Sequence, residues 1–121
     1  MLRFYNFDTY LILKYNVYWR RNLMLTGKQK SFLRGQAHDL KAILQVGKGA
    51  VNENFIEQVN LALEARELIK ISILQNCEED RYELADALTQ ATKAELVRIL
   101  GKTLVLYRKS INRSQIVLPR S

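Results

Sequence analysis

The sequence predicts a single compact α/β domain, a four-stranded mixed sheet packed with helices in the order α-β-α-β-α-β-β. Three observations lead there. Segments of helical period alternate with short β-branched runs over most of the chain. In "ENFIEQVNLALEARELIKISIL" the apolar spacing changes from three-and-four to strict alternation at about Leu68. Near the end, two apolar runs are separated only by Gly101-Lys102, a two-residue hairpin signal. A chain of 121 residues has room for one modest core.

Each element has its own local cause. Thr26-x-x-Gln29 reads as a capping box that opens the first helix. Gln29, Leu33, Ala37 and Leu40 then fall on one face, and Lys30, Arg34 and His38 form a basic row on another, with Lys28 close by. Lys41 to Val46 has the composition of a short strand. Asn52 is an N-cap, Glu53 suits the positive helix end, and Val51 and Ile56 occupy the positions of a hydrophobic staple. Phe55, Val59, Ala62 and Leu63 carry the inward face of this second helix, which fades near Arg66 or Glu67. From Leu68 to Leu74, Ile69, Ile71 and Ile73 face one way and Lys70 and Ser72 the other, a strand with one buried face. Glu78, Glu79 and Asp80 open a third helix, with Leu84, Ala85, Leu88 and Ala91 inward. Glu95 to Leu100 and Thr103 to Arg108 are the last two strands. The last residues, with Pro119, read as a tail (119–121) with room for one short extended piece.

The first 23 residues differ from the rest. They hold seven of the eleven aromatic residues and contain no Gly, Pro or Ala. They are expected to be an extension outside the core, with Met24 the working start; the rival reading is an aromatic arm that packs on the domain or on RNA.

Composition narrows the function. The net charge of +7 points to a polyanion or an anionic surface. No apolar run approaches the roughly 18 residues of a membrane span, so no membrane partner is expected. One cysteine, Cys77, and one histidine, His38, supply neither a disulfide framework nor a Cys/His zinc site. A reducing cytoplasm is the expected location, with no metal or cofactor.

The stretch "LQVGKGAVNENF", Leu44 to Phe55, is the most suggestive in the chain. A P-loop needs four residues between its first glycine and the Gly-Lys pair, then Ser or Thr; Gly47-Lys48-Gly49-Ala50 has neither. A dinucleotide fingerprint needs a third glycine where Asn52 stands. No arrangement of His38, Cys77 or the acidic cluster suggests catalysis, so the chain is not expected to be an enzyme. Two readings of the loop stay open. It is an ordinary turn, or it holds a nucleic-acid backbone as KH-type loops do, with glycine admitting the phosphate, Lys48 adding charge and the next helix N-terminus offering free amides. The basic row, Lys28, Lys41 and the sheet cations Lys70, Lys102, Arg108 and Lys109 favour the second.

Four pieces carry a family resemblance: "KQKSFLRGQAH", the glycine loop, "ELIKI" and "GKTLVLYR". Taken in this order, over about residues 24–118, the chain resembles the CRM domain, the RNA-binding module of small bacterial YhbY-type proteins. The resemblance implies a fold similar to the C-terminal domain of translation initiation factor three. It also implies RNA as partner, specifically ribosomal RNA and precursor large ribosomal subunits, with a role in ribosome assembly. The RNA-contacting residues would be Gly47, Lys48, Gly49, Ala50, Lys28, Lys30, Arg34, His38, Lys41 and Lys70, with Tyr107 and Arg108 as outlying candidates and Tyr107 alternatively core. The family loop is GxxG; Ala50 replaces its last glycine here. A monomer is favoured. The competing functional class is a protein-interaction module whose charge only aids solubility.

Overall fold

A computed structural model describes residues 25–49 and 51–120. The elements are α1 (Gly27–Ala37), β1 (Leu44–Val46), α2 (Glu53–Arg66), β2 (Leu68–Ile73), α3 (Arg81–Thr92), β3 (Glu95–Leu100) and β4 (Thr103–Tyr107). The four strands form one sheet in the order β1-β2-β4-β3. β1 runs parallel to β2, with Val46 beside Ile73, and β4 is antiparallel to both β2 and β3. The predicted α/β order and mixed sheet are the observed ones.

The helix starts follow from their caps. Thr26 Oγ1 accepts the Gln29 amide, and Gln29 Oε1 accepts the Thr26 amide, both at 3.1 Å. Asn52 Oδ1 accepts the Phe55 amide at 2.8 Å, and Asp80 accepts the amides of Tyr82 and Glu83. Each cap pairs a donor that the helix leaves free. α1 stops at Ala37, so Leu40 lies beyond it and is exposed instead of on the buried face with Leu33 and Ala37. The residues between α1 and Leu44 make a turn, with the Leu40 amide on the Ala37 carbonyl. The expected strand from Lys41 therefore shortens to three residues.

The sheet is covered on both faces. α2 and α3 bury Phe55, Val59, Leu63, Leu84, Ala85 and Leu88 against Ile69, Ile71, Ile73, Leu104 and Leu106. α1 buries Leu33 and Ala37 against Leu68, Val97, Val105 and Tyr107 on the opposite face. Leu33, Leu63, Leu88, Leu104 and Leu106 are fully buried, each contributing about 1.5–3 kcal/mol of transfer free energy. The expectation of one buried face on β2 was too small, because Leu68 is buried on the second. β3 serves both clusters through a bulge: Leu96 pairs with Leu106 and Arg98 with Val105, leaving Val97 as the extra residue. Simple alternation would turn Ile99 away from Leu96; the bulge returns both to the α2–α3 side while Val97 points to α1.

Residues 108–118 form no strand; carboxylates hold them instead. Glu67, between α2 and β2, has a fully buried side chain and a left-handed backbone, φ 67°. Its carboxylate accepts the Ser110 amide at 2.8 Å, the Gln115 amide at 2.6 Å and the Ile116 amide at 2.9 Å. Glu64 accepts the Ser110 hydroxyl and the amides of Ile111 and Asn112. Burial pushes the Glu67 carboxyl up, but the three amides and Lys109 outweigh it and hold it below its ordinary value. The Ser110 hydroxyl and then the two amides hold Glu64 low as well. The segment so fixed lays Ile116 and Leu118 against the α1-side cluster, and Gln29 Nε2 donates to the Pro119 carbonyl at 3.0 Å.

Glu67→Gln is expected to lower stability at neutral pH by on the order of 1–3 kcal/mol, since an uncharged amide pairs these buried N–H groups poorly. Both carboxyls titrate lower folded than unfolded. Their stabilisation is therefore complete above the ordinary carboxyl value of 4.5 and is lost as pH falls through the lowered folded value. Urea melts between neutral and acid pH should show parent and variant converging below about pH 4.5.

Candidate functional site

The glycine stretch leaves β1 at its carboxyl end. Val46 is buried, and its carbonyl accepts the Leu74 amide at 2.8 Å, which draws the β2–α3 loop against it. That contact explains Gly47: a Cβ there would meet Asn76 Oδ1 at 2.7 Å and Leu74 Cδ1 at 3.2 Å. Gly49 has φ +90°, a conformation that L side chains rarely adopt, with open space around it. Lys48 stands between the two glycines and is exposed. Val51 packs on the core, and Asn52 caps α2 directly after it. The loop is thus fixed at both ends, with its middle presented to solvent beside a helix N-terminus. Ala50 lies outside the described residues, so the expectation about this loop position stays untested.

The remaining candidates divide into three groups. Lys70 reaches across from β2: its ammonium donates to the Leu40 carbonyl at 2.9 Å and the His38 carbonyl at 3.4 Å. The Ile43 amide returns to the Lys70 carbonyl at 3.1 Å. The structure therefore gathers His38, Lys41 and Lys70 around the end of α1, with Arg34 one turn earlier. Lys70 stands three positions before Ile73, which pairs with Val46, so this group lies about 10 Å along the strand direction from the glycine loop.

Lys28 and Lys30 form the second group, in the first turn of α1, where the Leu25 amide donates to Glu95 Oε1. An eleven-residue helix is about 16 Å long, so they extend the basic row away from the loop.

Tyr107 and Arg108 form the third group, and both are engaged within the fold. Tyr107 is buried, and burial, then Glu67, pushes its hydroxyl pKa up. The Arg108 guanidinium donates to Asn60 Oδ1 at 2.8 Å, the Asn60 carbonyl at 3.1 Å and the Thr92 carbonyl at 2.7 Å, bracing α2 against the end of α3. Burial lowers its pKa, with Glu64 opposing. Both lie at the sheet end opposite the loop, where Tyr107 pairs with Leu68 and Glu95.

A model of the CRS1 / YhbY (CRM) domain matches residues 25–108. The chain belongs to the CRM family. A Bacillus subtilis protein named "Probable RNA-binding protein YqeI" is 58% identical over 96 residues, covering 79% of this chain and all of that one. A Haemophilus influenzae protein named "RNA-binding protein" is 36% identical over 96 residues, covering 79% of this chain and 96% of that one. The solution structure of a hypothetical protein from Staphylococcus aureus shares the fold at a TM-score of 0.68 and 51% identity, covering 79% of this chain and all of that one. The CRM match begins at Leu25 and includes the glycine loop and both β-rich ends of the sheet. It stops before the carboxylate-held segment, although Ile116 and Leu118 belong to the core.

Some of the site had no motif to announce it. Asn76, which closes on Gly47, sits in an unpatterned polar stretch, and Lys70's reach to α1 depends on a pairing that only the assembled sheet creates.

Gly49→Ala should cost about 1–2 kcal/mol in a denaturant melt, since its strain does not depend on neighbours. Gly47→Ala should also destabilise, and Asn76→Ala in the same chain should recover most of the loss, because the obstacle is a side chain. A Gly47→Ala chain unaffected by Asn76→Ala would place the constraint in the backbone.

Proposed function

We propose that this protein binds RNA through the Gly47-Lys48-Gly49 loop and the basic side of α1, and assists assembly of the large ribosomal subunit in the cytoplasm. The observation that carries the reading is the loop itself. Two glycines, one required by close approach and one by a positive φ, present an exposed lysine at the start of a capped helix. A phosphate there meets free amides, a positive helix end and no Cβ at Gly49. CRM-family membership and the names of the relatives support RNA as the polyanion.

The surrounding charge gives the backbone a direction. The β2–α3 loop, which abuts Gly47, continues into Glu78, Glu79 and Asp80, all exposed. These repel phosphates on the α3 side. Arg34, Lys41 and Lys70 attract them on the α1 side, with His38 beside them and Asp39 opposing. The RNA backbone is therefore read as running from Lys48 toward α1, with Lys30 and Lys28 further along it. Residues 24–118 are proposed as the RNA-binding unit, acting as a monomer with residues 1–23 outside it; ribosomal RNA of a precursor large subunit is its proposed ligand. No catalytic step is assigned.

From Met24 onward, 15 Lys and Arg face 11 Asp and Glu. With about four phosphates neutralised, log affinity should fall with log salt at a slope of roughly −3 to −4. Fluorescence anisotropy with a labelled structured RNA measures it. Lys48→Ala and Arg34→Ala should each reduce the slope by about 1. Arg108→Ala should lower stability and leave the slope intact, because its charge is held between helices. Absence of RNA binding at low salt would favour a protein-interaction module instead.

A further inference from the structure

The end of the sheet that carries the glycine loop also carries an exposed aromatic ring that the backbone reading does not use. The N-terminus of α3 comes to this end, where Arg81 Nη1 donates to the Gly101 carbonyl at 2.9 Å. In the same hairpin turn, the Lys102 carbonyl accepts the Ile73 amide at 2.8 Å, beside the Val46–Ile73 pair from which the loop departs. The Arg81 guanidinium lies 5.1 Å from the centre of the Tyr82 ring, and its Nη2 is 3.4 Å from the Tyr82 hydroxyl. The ring, held on one side by an anchored cation, is still 59% exposed. Leu100, next in chain to Gly101, is 58% exposed.

We propose that Tyr82 is a stacking platform for an unpaired RNA base, making this end of the sheet selective for RNA with accessible single-stranded nucleotides. The inference rests on the RNA reading and deepens it. Three features support it. A guanidinium–aromatic pair presents a flat, polarised surface of the kind on which bases stack. The Gly101 carbonyl fixes the guanidinium, so the ring is supported before any ligand arrives. The charge around it selects the part of the nucleotide: Glu78, Glu79, Asp80 and Glu83 outnumber Arg81 and disfavour a phosphate, whereas a neutral base is not repelled. Phosphates are left to Lys48 and Lys102 on either side of the β2 end. From β1 to β3 the sheet spans three inter-strand spacings, about 14 Å, within reach of a few nucleotides turned out from a backbone on Lys48. A duplex keeps its bases stacked inside and has none to offer Tyr82.

The test is anisotropy of the full chain with two labelled RNAs of equal length at one salt concentration, a hairpin with an unpaired loop and a blunt duplex. Tyr82→Ala should weaken hairpin binding by about five- to 100-fold and duplex binding little, and Tyr82→Phe should bind both like the parent. Circular dichroism and a thermal melt check that each variant is folded; a variant on an exposed ring should melt like the parent. The proposal is overturned if Tyr82→Ala binds the hairpin like the parent, if it loses equally on both RNAs, or if Tyr82→Phe is as weak as Tyr82→Ala. A parent that binds neither RNA removes the RNA reading and this one with it. A parent that binds while Tyr82→Ala is unchanged removes only the platform.

Discussion

The parallel pairing of β1 with β2 is the constraint on which the arrangement depends. Two parallel neighbours cannot be joined by a tight turn, so the chain must travel the length of the sheet and back, and α2 is that return path. As a result, the segment leaving β1 and the segment leaving β2 emerge at the same end. α3 then makes a second return, to β3, so its N-terminus opens there too. The glycine loop, the acidic loop and the β3–β4 turn are neighbours for this reason alone. The Leu74 amide on the Val46 carbonyl joins the first two of them, and the Lys102 carbonyl on the Ile73 amide joins the third.

Much of this was legible in the sequence because it depends on neighbours in the chain. Thr26 with Gln29, Asn52 and Asp80 act within three residues, and their bonds are local ones. The alternation of Ile69, Ile71 and Ile73 needs only a strand beneath a helix. What could not be read depends on partners far along the chain. Nothing around Leu68 says that a second helix covers its face. Nothing in "SINRSQIVL" says that two glutamates more than forty residues earlier will bind its amides. The candidate site divides in the same way. Gly47, Lys48 and Gly49 were visible as a motif, whereas Arg108 looked like a surface cation until Asn60 and Thr92 were brought to it.

Among the described residues, two runs of like charge lie on segments packed on opposite faces of the sheet, each beside one residue of the other sign, Asp39 and Arg81. The basic side chains of α1 and its following turn lie with one layer, and the acids before α3 lie with the other, with the glycine loop between them. A net positive charge alone would attract any polyanion from any direction. On the proposed RNA reading, charges divided in this way would orient the ligand as well as attract it.

Glu67 carries two demands that no single residue type meets well. Its backbone conformation favours glycine, while its buried contacts require a carboxylate. Glycine would relieve the backbone and release the C-terminal segment; an ordinary residue would keep the strain and lose the bonds. The conflict is resolved only when residues 110–116 are in place, since their amides then compensate a conformation that is unfavourable by itself. The strained junction at Glu67 therefore gains its compensating bonds only once the chain's end has docked. Hydrogen exchange would register this at the amides of Ser110, Gln115 and Ile116, which are held only while the Glu67 carboxylate accepts them, although they lie far from it in the chain.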